Sequence, residues 1–268
     1  MCGIVAYVGS QDCTPILVDG LRRLEYRGYD SAGLAVHTGQ GLAIVRAVGK
    51  LSNLDAALKK TPLSGTTGIG HTRWATHGRP SEANAHPHVA GKVAVVHNGI
   101  IENHIALRRA LEAKGVRFAS DTDTEIIAHL VDEAHRGGVP QLVDAVRAAL
   151  RQVRGAYAIA VVSGDAPHEI VVAKEASPLV LGVGDGETLA ASDVPALLSH
   201  TRDVIFLQDG DVAVLRKDGP VITRLDGSAV GRPSKRIDWS PTQAEKGGYK
   251  HFMLKEIHEQ PETAALWV

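Results

Sequence analysis

The sequence has little of what marks a nucleic-acid binder, a membrane protein or a disulfide scaffold. Only 4% of its 268 residues are aromatic, too few to build base-stacking platforms. Lys and Arg total 29 against 30 Asp and Glu, a net charge of -1, so no basic stripe is offered to a phosphate backbone. The two cysteines, Cys2 and Cys13, allow neither a disulfide framework nor zinc-ligand spacing, and their scarcity fits a cytoplasmic protein. No apolar run approaches the roughly 20 residues that cross a bilayer, and no basic region precedes the first apolar run as in a signal peptide. Neither GxGxxG nor GxxxxGK(S/T) occurs between a strand and a helix, so no nucleotide cofactor is expected. His86 and His88 lie near His71, His77 and His97, but Pro87 splits the pair and no acidic ligand sits at regular spacing. No metal is expected either.

What remains is an ordinary globular composition, 44% hydrophobic and 22% charged, enough for one large domain or two smaller ones. Residues 3–9 form a short apolar run, and 15–25 carry one helical face opened by Pro15. Strands are expected at 33–36, 42–48, 68–72 and 93–96, with 38–41 as a turn. Ser52-Asn53-Leu54-Asp55 reads as a capping box for a short helix. Helices follow at 102–113, 125–135 and 141–153, then strands at 156–162, 169–173, 179–183, 187–191, 204–208 and 211–216. Blocks of strands and of helices, without strict alternation, imply a layered α+β domain over 2–226. The polar stretch 227–249, with Pro233, Pro241 and Gly247-Gly248, reads as a linker, and 250–268 as the opening fragment of something further.

Two places stand out chemically. Cys2 follows the initiator Met1, and removal of Met1 would put a thiol and a free α-amine on one residue, a nucleophile carrying its own base. The segment 73–88 (Arg73-Trp74-Ala75-Thr76-His77-Gly78-Arg79-Pro80 and onward to Asn84-Ala85-His86-Pro87-His88) has no period of either kind, which is usual for a functional loop. Arg73 offers a planar fork to a carboxylate, with Thr76 and His77 as further donors. Asn98-Gly99 could stabilise an oxyanion or could be a hairpin turn. Asp123 could hold an ammonium group or could cap the helix at 125.

Several segments together resemble a known family: Met1-Cys2-Gly3-Ile4-Val5, Glu25-Tyr26-Arg27-Gly28-Tyr29-Asp30-Ser31-Ala32-Gly33, His71–Gly78, Asn84–His88, Val96–Asn103 and Asp121–Glu125. They are similar, in order over residues 2–260, to the N-terminal glutaminase domain of glucosamine-6-phosphate synthases, class II glutamine amidotransferases of the N-terminal-nucleophile hydrolase fold. The 25–30 loop favours this family over the amidophosphoribosyltransferases. The resemblance implies a four-layer α-β-β-α sandwich that hydrolyses L-glutamine to glutamate and ammonia. In it Cys2 is the nucleophile, Asn98 and Gly99 the oxyanion hole, and Arg27 a support for the terminus. Arg73, Thr76 and His77 face the substrate carboxylate, Asp123 and Gly99 its ammonium, His86 lines the site and Trp74 gates the ammonia path. It further implies that 250–268 opens a sugar isomerase domain, the ammonia acceptor on fructose 6-phosphate. Without that domain a monomer or weak dimer is expected. A glutamine-binding regulatory subunit, or an ammonia donor to a different synthase, are the competing readings.

Overall fold

The apolar run at the start of the chain is buried on both of its flanks, and this decides the architecture. In β1 (Gly3–Val8) alternate side chains point to opposite sides of the sheet. Val5 and Tyr7 enter a core shared with helices, whereas Ile4, Ala6 and Val8 enter a second core between two sheets. A strand with no polar flank must be covered twice, so this sheet is sandwiched.

The computed structural model describes residues 2–75 and 78–238, together with 253, 254, 257, 258 and 260. After β1 come α1 (Cys13–Arg23), β2 (Ser31–His37), β3 (Leu42–Val48), α2 (Leu51–Lys60), β4 (Thr67–Arg73), β5 (His88–Ala90) and β6 (Val93–Ile101). Three helices follow, α3 (His104–Ala113), α4 (Thr124–Arg136) and α5 (Leu142–Leu150). The strands β7 (Gly155–Ser163), β8 (Ala166–Glu175), β9 (Val180–Gly184), β10 (Glu187–Ala191), β11 (Asp203–Phe206), β12 (Asp211–Arg216), β13 (Gly219–Arg224) and β14 (Lys235–Arg236) complete the order.

Two antiparallel sheets result. One has eight strands in the order β14-β11-β9-β10-β1-β4-β2-β3, the other six in the order β13-β12-β8-β7-β6-β5. Leu17 and Leu21 of α1 and Leu51 and Leu54 of α2 pack on the outer face of the first. Ile126, Ile127, Leu130 and Val131 of α4, with Ala145, Val146 and Ala149 of α5, pack on the outer face of the second. Ile4, Ile69, Val96, Ala158, Val172 and Leu181 fill the space between the sheets. The expected α-β-β-α layering is therefore present. Among the described residues no helix is long and apolar enough to cross a membrane.

One local expectation differs from what is observed, and two alternatives left open by the sequence are decided. The helix expected to open at a Ser52 cap begins two residues earlier, after Lys50, with no side-chain cap. Asn53 instead donates from Nδ2 to the Val48 carbonyl at 2.7 Å, stitching the helix to the strand before it. Asn98-Gly99 is not a turn: β6 runs through it, paired with Ala158 and Tyr157 of β7. Asp123 precedes α4 but makes no capping bond; its Oδ2 accepts from the Ile101 N–H at 2.8 Å and ties the end of β6.

Contacts with the two sheets continue past residue 226. Arg232 donates from Nε and Nη2 to the two oxygens of Asp211, both at 2.8 Å, and Asp211 is fully buried. β14 then pairs with β11, and Ile237 enters the helix-side core. The polar composition of 227–238 misleads because this stretch covers a buried charge, where polar side chains are needed. Of the expected linker and fragment, 239–252, 255–256, 259 and 261–268 lie outside the described residues.

Candidate active site

Antiparallel neighbours place the start of β1, the ends of β4 and β10 and the start of β2 on one rim of the eight-stranded sheet. Each of these ends carries a polar residue. Cys2 precedes β1, Arg73 closes β4, Ser192 follows β10, and the loop bearing Arg27 and Asp30 leads into β2. β6 of the other sheet brings Asn98 and Gly99 to the same rim.

The Cys2 carbonyl is the meeting point. It accepts from Arg27 Nε and from Asn98 Nδ2, each at 3.0 Å. Arg27, 7% exposed, also lies 3.6 Å from Asp193, which in turn accepts from the Tyr26 hydroxyl at 2.6 Å. The Trp74 backbone N–H points at Cys2 Sγ, at 3.2 Å. Burial pushes the Cys2 thiol up, while the Trp74 N–H and the charges of Arg73 and Arg27 pull the other way. The net direction is upward, so the sulfur rests as a thiol and needs a base before it can attack. Cys13, pushed up to about 12 by burial and by neighbouring Asp12, opens α1 and packs in the core on its inner side.

Arg73 is buried, and burial works against its charge; Cys2, Asp30 and Asp123 face it with the opposite effect. A desolvated guanidinium of this kind favours a carboxylate partner. Arg73 Nη2 donates to the Gly78 carbonyl at 3.1 Å, fixing the head to the far end of its loop. Gly28 is required beside it, because a Cβ there would come within 2.7 Å of the Arg73 carbonyl carbon. Asp30 accepts from the Ala75 N–H at 2.6 Å. Trp74 is 45% exposed and packs edge-on against Tyr29 at 5.6 Å. Thr76 and His77 lie outside the described residues.

Behind these groups lies a row of buried imidazoles. His71 and His86 have ring centroids 4.1 Å apart, and His86 and His88 4.7 Å. The Thr124 hydroxyl bridges His86 Nε2 (2.8 Å) and His97 Nδ1 (2.9 Å). Burial drives all four downward, His71 and His88 to about 3, so the row is neutral at physiological pH. His86 is buried within this row. Among the described residues no group of histidine, cysteine and carboxylate side chains could hold a metal ion.

Asp123 is fixed from below. Glu125 accepts from the N–H groups of Ala119 and Ser120 and from the Ser120 hydroxyl, at 2.6–2.8 Å, and so shapes the loop that carries Asp123. Burial opposes its charge, but the hydrogen bonds from His129, Ala119 and Ser120 outweigh it and hold the carboxyl at about 2. Its folded pKa lies below the unfolded value near 4.3, so the stabilisation is full above that value and lost as pH falls toward 2. Thermal melts between pH 2 and 7 should show the wild type losing about 3 kcal/mol over this window that Glu125→Gln never had. A parallel fall in both chains would sink the assignment.

Two further residues at the rim were given no role by the sequence. Ser192 Oγ accepts from the Ile4 N–H and from Asn98 Nδ2, both at 2.8 Å. His71 Nε2 lies 3.0 Å from Asn98 Oδ1. A Ser-Asp pair after a strand looks like a helix cap, and Asp193 does cap the short turn after it. In the sequence His71 is only one of several neighbouring histidines and the first residue of a family-like segment, with no role of its own.

Residues 71–199 match the model of the glutamine amidotransferase domain. The chain is 58% identical over 263 residues to a glutamine–fructose-6-phosphate aminotransferase (isomerizing) of Thermus thermophilus, covering 97% of this chain and 43% of that protein. It is 54% identical to the namesake of Symbiobacterium thermophilum, with the same coverage, and 50% identical to that of Mycobacterium bovis, over 99% and 44%. The chain spans less than half the length of these curated relatives. Among solved structures, the Bacillus subtilis glutamine phosphoribosylpyrophosphate amidotransferase complexed with ADP and GMP aligns with a TM-score of 0.72 at 26% identity, over 85% of this chain and 50% of that one. A glutamine aminotransferase class-II domain protein from Silicibacter pomeroyi shares the fold, with a TM-score of 0.57 at 15% identity, over 83% of this chain and 99% of that one.

Proposed function

We propose that this chain, which belongs to the glutamine amidotransferase family, hydrolyses the carboxamide of L-glutamine through a γ-glutamyl thioester on Cys2. The observation that carries the reading is the convergence of Arg27, Asn98 and the Trp74 N–H on one residue at the start of β1. Those contacts hold Cys2 by its carbonyl and its sulfur, leaving its backbone nitrogen for a different task.

With Met1 removed, the Cys2 α-amine, of reference pKa about 7.7–8.0, takes the thiol proton. The sulfur attacks the amide carbon, and the electron pair moves onto oxygen. Asn98 Nδ2 and the Gly99 N–H receive that oxyanion. Collapse expels the nitrogen, which leaves as ammonia with the proton held by the α-amine. Water, deprotonated by the same amine, then releases glutamate. Arg73 pairs with the substrate α-carboxylate and Asp123 with its ammonium; Thr76 and His77 add to the first and His86 backs the site. Trp74, exposed beside Cys2, gates the exit of ammonia.

By its similarity to the aminotransferases, the ammonia serves amination of fructose 6-phosphate, on an isomerase domain or subunit that residues 250–268 lead into. The glutaminase unit covers at least residues 2–238. The test is direct. Incubated with L-glutamine, the chain should release glutamate and ammonia in equal amounts. Acid quenching should trap a γ-glutamyl adduct on a Cys2 that lacks Met1 by intact mass. Glutamine bound without glutamate or adduct would favour a regulatory binding module instead.

A further inference from the structure

Amide hydrolysis at Cys2 needs Asn98 to present its NH2 group, not its oxygen, toward the nucleophile. A carboxamide has nearly the same shape both ways round, so its neighbours decide which end points where. Three groups surround this one. On one side the Cys2 carbonyl and Ser192 Oγ lie 3.0 and 2.8 Å from Nδ2. On the other, His71 Nε2 lies 3.0 Å from Oδ1.

His71 Nε2 also lies 3.1 Å from the backbone carbonyl of His97. A backbone carbonyl only accepts, so it places the hydrogen on Nε2 whatever Asn98 does. That N–H then faces the amide. A reversed Asn98 would set N–H against N–H at His71 and oxygen against oxygen at Cys2. The carbonyl of residue 97 thus dictates, through one ring, the orientation of the side chain at 98. His71 comes from β4 and Asn98 from β6, so the contact also pins the two sheets in register at the rim.

We propose that His71 is the positioning residue of the oxyanion hole: its Nε2–H holds Asn98 Oδ1 so that Nδ2 faces the oxygen of the reacting amide. This rests on the glutaminase reading. Both Nδ2 hydrogens are engaged at rest, one by Cys2 and one by Ser192, so reaction requires one to swing to the oxyanion. His71 is the pivot that keeps the oxygen end fixed while this happens. It touches no substrate atom, and its burial, with no exposed surface, keeps it neutral and its hydrogen in place.

His71→Phe removes the donor and keeps much of the ring volume; His71→Gln can return an N–H near the Nε2 position. With His71→Phe, kcat for glutamate release should fall about 10–100-fold with KM changed less than about twofold, since a transition-state contact is loosened. Alkylation of Cys2 by iodoacetamide, which develops no oxyanion, should change less than about twofold. His71→Gln should recover most of kcat. Equal loss of hydrolysis and alkylation, a change carried by KM, or unaltered hydrolysis would each overturn the proposal. Nitrogen-15 NMR of His71 in the unaltered chain gives a second test that no folding defect can obscure. The neutral Nε2–H form should persist from pH 5 to 8; an Nδ1–H form or a cation would overturn it. If the unaltered chain releases no glutamate, the glutaminase reading fails, and the NMR result still judges the hold on Asn98.

Discussion

Cys2→Ala should cut glutamate release by at least about 10⁴-fold, to the level of a blank without protein. The reason is the loss of the only atom that can form the thioester, because the second thiol, Cys13, is buried at the start of α1 with its pKa pushed up to about 12. Cys13→Ala should therefore leave hydrolysis within about threefold of the unaltered chain, allowing for a modest packing defect. Folding should survive Cys2→Ala, since among the described residues the sulfur is held by the backbone of Trp74 alone, while the Cys2 carbonyl keeps both of its donors. Melting temperature and glutamate assay on the same samples check both halves. Hydrolysis retained by Cys2→Ala would remove the nucleophile from the mechanism.

Gly99→Ala should cost activity and stability together. Gly99 sits inside β6 at a φ of 137°, and an added Cβ would lie 1.9 Å from the Ala156 carbonyl oxygen and 2.9 Å from His97 Nε2. Neither neighbour can yield cheaply. The first is backbone of the paired strand, and the second belongs to a ring anchored on Thr124. Relief requires β6 to part from β7 at the point where Asn98 and the Gly99 N–H are set. A cost of about 4 kcal/mol, or roughly a 10 °C lower melting temperature, is expected. Glutamate release measured well below the melt should fall by at least about 100-fold, the scale of losing one oxyanion donor. An active Gly99→Ala chain with an unchanged melt would contradict both the strand register and the role of the N–H.

The same position shows how far the sequence could be read. Asn-Gly between apolar runs favours a hairpin by local chemistry, and nothing local opposes it. What keeps the chain extended is pairing with β7, about 60 residues on, which no window around residue 98 contains. Asp123 was ambiguous for the same reason: its bond goes to the Ile101 N–H instead of to the helix it precedes. The cysteine at the start of a wholly apolar strand, the strand and helix blocks and the aperiodic segment after Arg73 were legible, because each is a property of neighbours in sequence. The roles of His71 and Ser192 were not. Their significance comes from a carboxamide that reaches them across the gap between two sheets.

The stretch 227–238 carries a mechanical consequence. It is fastened to both sheets: Arg232 grips Asp211 of β12, and β14 lies along β11. Tension arriving from residue 239 onward meets these fastenings in series. The first is the sheet edge, where the Ile237 N–H donates to the Arg202 carbonyl and two residue pairs follow, Arg236 with Asp203 and Lys235 with Val204, which can be peeled one bond at a time. The second is a fork of two parallel bonds onto a fully buried carboxylate, loaded together. A weak fuse thus stands in front of a strong anchor. A tug from the following chain is absorbed at the far edge of the eight-stranded sheet, four strands from β1, before it can reach the rim where Cys2 sits.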